Sequence, residues 1–68
     1  MGGRHLELEV AGLPCTIEVS RTGDWVVTLA ATTVGRAPSL ATAIVRAGGG
    51  LVTASEAEAV AASVTRPH

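Results

Sequence analysis

Three glutamates at alternating positions are the residues with the clearest potential for acid–base chemistry. Glu7 and Glu9 are two positions apart, and Glu18 lies in the next alternating segment. Paired carboxylates act as general acid and base when a cleft desolvates them and raises one pKa. An open sheet provides no cleft. We therefore weigh an acidic patch that binds an Arg- or Lys-rich partner against ordinary solvated side chains.

The single cysteine, Cys15, is the candidate for covalent chemistry. A reactive thiolate needs a neighbouring base, cation or helix N-terminus. Both histidines lie near the termini, and alternation places His5 on the face opposite Cys15. We predict that Cys15 is a small buried hydrophobe. A small-ligand or thiol-dependent enzyme that uses Cys15 is the rival hypothesis.

A glycine run at residues 48–50 precedes a helix start at Thr53 and resembles a phosphate-binding loop. Its spacing fits neither G-x-x-x-x-G-K-[ST] nor G-x-G-x-x-G, and Glu56 and Glu58 would repel an anion. We predict a helix cap and a loop here. The Cys and His residues are too few for a zinc cage. We therefore expect no catalytic residue, no cofactor and no metal.

Three segments alternate between apolar and polar residues, which predicts strands over about 4–11, 15–20 and 25–33. Residues at alternate positions of a strand lie on the same face. The inward set is Leu6, Leu8, Val10, Cys15, Ile17, Val19, Trp25, Val27, Leu29 and Ala31. The outward set includes Glu7, Glu9, Glu18, Val26, Thr28 and Ala30.

The first predicted turn covers residues 11–14, which include Gly and Pro. Pairing Val10 with Cys15 across this turn keeps the apolar residues on one face. The same register places Glu7 directly across from Glu18. Like charges in that position destabilise a sheet.

The second predicted turn is a three-residue loop over residues 21–23. Gly23 stands where such a loop needs a left-handed residue. Pairing Val19 with Trp25 across the loop continues the same apolar face.

At Ser39 the apolar spacing changes to three and four, which predicts helices over about 39–47 and 53–65. Ser39 is a suitable N-cap for the first helix, and the glycine run ends it. Thr53 and Glu56 have the spacing of a capping box for the second helix.

The element order predicts an α+β fold in one domain, residues 1–68. We expect a three-stranded antiparallel β-meander followed by two α-helices packed on one face (β-β-β-α-α). Strands one and three would then be the free edges of the sheet. Neither has a Pro or Lys to discourage pairing with another chain. This favours strand addition or edge-to-edge dimerisation.

The composition narrows the function classes. A chain of 68 residues buries a small fraction of its unfolded surface compared with larger domains. A homodimer is therefore expected on grounds of size. The net charge of −1 argues against binding of nucleic acid. No apolar run approaches a membrane span, and no signal peptide is visible, so we expect a cytoplasmic protein. The absence of Lys, Asn, Phe and Tyr suggests a GC-rich bacterial or phage genome.

The segment 23–29 (GDWVVTL), followed by residues 39–44 (SLATAI), resembles the HicB-like antitoxins. Those proteins show a Gly-aromatic-Val-Val strand and then a Thr-Leu-x-x-Ala helix start. Two strands precede the aromatic residue here instead of one. The Pro-x-Leu-Pro-Gly segment and the C-terminal DNA-binding element are missing. The resemblance implies a sheet-edge dimer that sequesters a small RNase toxin.

These observations predict a small non-catalytic protein-interaction module, a regulator or inhibitor acting through an open sheet face or edge. Two narrower alternatives are a HicB-like, toxin-binding antitoxin and a phage or mobile-element inhibitor of a host defence complex. The partner would be a protein. The predicted partner-binding residues are Glu7, Glu9, Glu18, Val26, Thr28 and Ala30.

Overall fold

The protein folds as a four-stranded antiparallel sheet, in the order β1-β2-β3-β4, followed by two helices. The computed structural model describes residues 5–65, so Arg4, in the predicted first strand, lies outside the described residues. The α+β class is confirmed, and the predicted count of three strands is wrong. The elements are β1 (His5–Val10), β2 (Leu13–Val19), β3 (Trp25–Leu29), β4 (Thr33–Ala37), α1 (Leu40–Gly48) and α2 (Ala54–Thr65).

The fourth strand arises because the predicted strand 25–33 is interrupted by a tight turn. Ala30 and Ala31 both have positive φ, at 56° and 60°. The Thr32 N–H donates to the Leu29 carbonyl oxygen at 3.2 Å, which closes the turn. Positive φ at both central residues is the pattern of a type I′ turn, the favoured geometry for reversing a strand. The chain therefore folds back along β3 as β4.

The first hairpin is also tighter than its sequence suggests. Ala11 and Gly12 have φ values of 55° and 79°, again the type I′ pattern. Val10 consequently pairs with Leu13, and the predicted pairing of Val10 with Cys15 is wrong. The register moves by two residues. Because side chains alternate with a period of two, every side chain keeps its predicted face.

The second hairpin has the predicted register, with Val19 opposite Trp25. Gly23 has φ of 91°, and its N–H donates to the Ser20 carbonyl oxygen at 3.0 Å. The Asp24 N–H also donates to Ser20 Oγ at 3.1 Å. Ser20, which precedes the loop, is therefore hydrogen-bonded to Gly23 and Asp24 at its far end.

Helix α1 lies on the sheet against β3 and β4. Gly35 in β4 is buried beneath it, and a Cβ at this position would collide with the Ala43 carbonyl oxygen and the Ala47 backbone nitrogen. The close approach of helix to strand thus requires glycine. At the C-terminal end of α1, Gly49 takes the left-handed conformation, and its N–H donates to the Val45 carbonyl oxygen at 3.2 Å.

Helix α2 starts with the predicted capping box. The Glu56 N–H donates to Thr53 Oγ1 at 3.1 Å, and the Thr53 N–H donates to Glu56 Oε1 at 3.4 Å. The helix packs mainly against α1, and Ala57 is its one fully buried residue among those described. Helix α2 therefore packs on α1 more than on the sheet.

The core is almost purely aliphatic and lies between the inner face of the sheet and α1. Trp25 is partly buried and packs against this core. The buried residues are Val10, Cys15, Ile17, Val27, Leu29, Ala37, Leu40, Ala43, Ile44, Ala47, Val52 and Ala57.

Candidate interaction surface

The candidate site is the side of the sheet that faces away from α1, which we call the outer face. Strand pairing aligns most of its side chains in two rows that cross all four strands, and Glu9 lies opposite Pro14 beside the second row. The first row runs across the four strands as His5, Glu18, Val26 and Arg36, and the second as Glu7, Thr16, Thr28 and Val34.

The structure brings together most of the residues predicted to bind a partner. Five of the six lie on the outer face, although the register between β1 and β2 differs from the predicted one: Glu7, Glu9, Glu18, Val26 and Thr28. Ala30 is the exception, because it lies in the turn after β3 and not within a strand.

The acidic half of the outer face, on β1 and β2, is organised around His5, which the sequence reasoning did not select. Glu7 faces Thr16 across the strands, so the predicted opposition of Glu7 and Glu18 is wrong. His5 is the residue opposite Glu18. Its Nε2 lies 3.2 Å from Glu7 Oε2, and its Nδ1 lies 3.9 Å from Glu18 Oε2. The imidazole thus separates two carboxylates that would otherwise repel each other.

These contacts are exposed, so they contribute little to folding. Ion pairs in this setting are worth about 0–1 kcal/mol and weaken with added salt. The acidic half therefore keeps most of its charge available to a partner.

The other half of the outer face, on β3 and β4, is neutral and partly apolar. Val34 is 62% exposed, one of three large hydrophobic side chains exposed among residues 5–65. Arg36 is the last residue of the first row, on β4, and its Nε lies 3.3 Å from Asp24 Oδ2. The outer face is therefore acidic on one side and apolar beside it. Sequence reasoning missed Val34 and Arg36 because it placed no strand at β4.

The free edges of the sheet are β1 and β4. The prediction that strand three is an edge is wrong, since β3 pairs on both sides. The β4 edge is partly covered, because Arg46 Nη1 donates to the Arg36 carbonyl oxygen at 2.8 Å. In the described part of the chain, no side chain makes a comparable bond to the backbone of β1.

Cys15 lies on the opposite face, inside the core. It is 2% exposed, with Leu8 and Leu29 on the neighbouring strands. Burial raises the pKa of the Cys15 thiol above its ordinary value near 9.0. A thiol that is both inaccessible and protonated at neutral pH is a poor nucleophile.

Within residues 5–65, no group of three or more potential metal ligands comes together, and no helix has the length and apolar character needed to cross a membrane. Comparison of the chain with protein-family models, with curated proteins and with solved structures gives no match.

Proposed function

We propose that this protein is a cytoplasmic, non-catalytic interaction module of bacterial or phage origin, a regulator or inhibitor that binds a protein partner through its outer face. The observation that carries the proposal is the one-sided packing of the sheet. Helix α1 covers the inner face at β3 and β4, while the outer face presents clustered carboxylates on β1 and β2 and the exposed Val34 on β4.

The charge distribution favours a partner with Arg or Lys at its contact surface. Glu7, Glu9 and Glu18 lie on two adjacent strands, and all three are exposed. Opposite charges across an interface speed association and exclude wrong partners more than they add affinity. An isolated acidic patch would therefore give selectivity with limited binding strength.

The apolar half of the outer face supplies the complementary contribution. Val34 is largely exposed, and Val26 and Thr28 lie beside it on β3, both half-buried. Covering apolar surface is worth about 25 cal/mol per Å² before the costs of association. A partner that places basic groups over β1 and β2 and an apolar side chain over Val34 would use both halves. An antitoxin-type protein and an inhibitor of a defence complex are narrower forms of this proposal.

A matched pair of charge reversals tests the proposal. Glu18 lies on the outer face, whereas Glu58 is exposed on α2. The wild type, Glu18→Lys and Glu58→Lys are immobilised, incubated with an extract of host cells, and the retained proteins are quantified by mass spectrometry. Circular dichroism establishes that both variants are folded.

We expect a protein that the wild type and Glu58→Lys retain equally and that Glu18→Lys loses. Thr28→Arg, in the middle of the outer face, should lose the same protein. Retention by Glu18→Lys and Thr28→Arg at wild-type levels would overturn the proposal, as would loss of binding in Glu58→Lys alone.

A further inference from the structure

Within residues 5–65, the backbone of β1 has hydrogen-bonding groups that pair with no strand, and the pairing of the neighbouring strands identifies them. The Ala30 N–H donates to the Pro14 carbonyl oxygen at 2.8 Å, and the Ser20 N–H donates to the Asp24 carbonyl oxygen at 2.8 Å. Even-numbered residues of β2 therefore direct their backbone groups toward β3. Because this direction alternates along an antiparallel strand, odd-numbered residues of β2 bond to β1.

The partners of those odd-numbered residues on β1 are all even-numbered. The remaining residues of β1 must direct their N–H and C=O groups away from the sheet. These residues are His5, Glu7 and Glu9. Such a row of free donors and acceptors is a template for another strand.

An exposed leucine lies on the same strand. Leu6 is 43% exposed, although it belongs to the inner face, whereas Val10 on the same face is 2% exposed. The inner face is thus more exposed to solvent at the start of β1 than at its end. A strand added at this edge would bring its own side chains next to Leu6.

We propose that the added strand is β1 of a second copy of this chain, paired antiparallel in a register centred on Leu6. Leu6 then faces Leu6 of the second copy. On either side, His5 faces Glu7 of the second copy, and the two-fold symmetry repeats this pair. The row of free groups at His5 and Glu7 becomes hydrogen-bonded in both copies.

The like-charge contacts favour this register over those centred on Glu7 and Leu8. Centring the pair on Glu7 would place Glu7 against itself, and centring it on Leu8 would place Glu7 against Glu9 twice. Like charges directly opposite are destabilising, whereas a histidine and a carboxylate attract when the ring is protonated and can hydrogen-bond when it is neutral. Only the Leu6-centred register gives two His5–Glu7 pairs and a shared apolar contact.

The resulting dimer is one continuous eight-stranded sheet with all four helices on one side, since the two-fold axis is perpendicular to the sheet. Within the described residues this register pairs only residues 5–7 of each copy, so the edge contact lies well below the area of standard stable interfaces, about 1,200–2,000 Å². We therefore expect a dimer that dissociates on dilution.

A charge swap tests the register. Light scattering over about 10 μM to about 1 mM should show self-association of the wild type. His5→Glu and Glu7→Lys should each weaken the dimer by about tenfold, because each turns two attractive pairs into repulsive or unpaired ones. The double variant His5→Glu/Glu7→Lys should restore it. Val34→Lys, on the other edge strand, should leave it unchanged.

Disulfide trapping provides a second readout that needs no tight dimer. Directly opposed residues in a non-hydrogen-bonded pair have Cα atoms about 4.5 Å apart, within disulfide range. In a Cys15→Ala background, Leu6→Cys should therefore form an interchain disulfide on mild oxidation. Leu8→Cys should not, because the two positions would lie about 14 Å apart.

A strictly monomeric wild type over this range, without trapping at position 6, would overturn the inference. So would a double variant as weak as the single ones, or trapping at position 8 in preference to position 6. This self-association goes beyond the proposed partner binding and uses the strand edge, whereas Glu18→Lys and Thr28→Arg change the middle of the outer face. The two proposals can therefore fail separately.

Discussion

At the scale of one residue, the environment of Cys15 distinguishes a reactive thiol from a buried side chain that only packs. The thiol lies in an aliphatic core, 2% exposed, with Leu8 and Leu29 beside it on adjacent strands. Desolvation penalises its charged form and raises its pKa. The fold therefore keeps Cys15 protonated and contributes stability that depends on that proton.

We predict that the free energy of unfolding of the wild type falls above about pH 9, and that it falls more than in Cys15→Ala. Below the ordinary pKa near 9.0, both the folded and unfolded states hold the proton, so the contribution is complete. As the pH rises further, the unfolded chain releases its proton first, which favours unfolding. Urea denaturation at several pH values under reducing conditions measures this. Identical pH profiles for the two proteins would contradict it.

Sequence reasoning predicted the position of Cys15 and missed the role of His5, for one physical reason. The face of a residue depends only on alternation, and alternation survives a register shift of two. Which residues are neighbours depends on the turn. The Ala11–Gly12 turn uses an alanine at positive φ, which the sequence does not signal. Without that turn, Glu7 appeared to face Glu18.

At the scale of the element, β4 is the strand that sequence reasoning could not find. The turn before it is Ala30–Ala31, without the Asn or Gly that usually marks a type I′ turn. Alternation of small residues continues through the turn, so the pattern looks like one longer strand. Gly35 within β4, and Pro38 just after it, suggest from sequence that the sheet ends at Gly35. Gly35 is there because α1 leaves no room for a side chain.

We predict that Gly35→Ala destabilises the protein by about 1–3 kcal/mol, the range for overpacking a tight contact. The new methyl group meets backbone atoms of α1, which cannot rotate away. Gly49→Ala is the matched control. Its φ is positive but nothing lies within 4 Å, so it should cost about 1–2 kcal/mol of backbone strain alone.

Urea denaturation gives both stabilities, and nuclear magnetic resonance distinguishes the causes. Gly35→Ala should shift backbone signals along α1 and β4, whereas Gly49→Ala should affect only the end of α1. A Gly35→Ala variant with unchanged α1 signals and wild-type stability would show that helix and strand are not in close contact.

At the scale of the whole molecule, the sheet has one structural side and one solvent-facing side. Val27 is completely buried beneath α1, and Val34 is 62% exposed on the outer face. Both are strand valines, and they lie seven positions apart in sequence. Val27 faces α1 from a central strand, whereas Val34 faces away from α1 on an edge strand, and these two placements account for the difference.

We predict that Val27→Thr destabilises the protein by about 1–3 kcal/mol, because its hydroxyl would be buried without a partner. Val34→Thr should change stability by less than about 0.5 kcal/mol, as is usual for exposed positions. Chemical denaturation of the two variants measures the difference. Equal losses would mean that the outer face is covered in the folded protein.

The single-sided cover has an evolutionary consequence. We expect substitutions at exposed positions of the outer face to change stability little, so selection for a stable fold restrains them weakly. Drift can then accumulate there while the inner face stays nearly fixed. A lineage carrying this scaffold can follow a changing target, with charge and shape on the outer face replaced one residue at a time, without passing through unfolded intermediates.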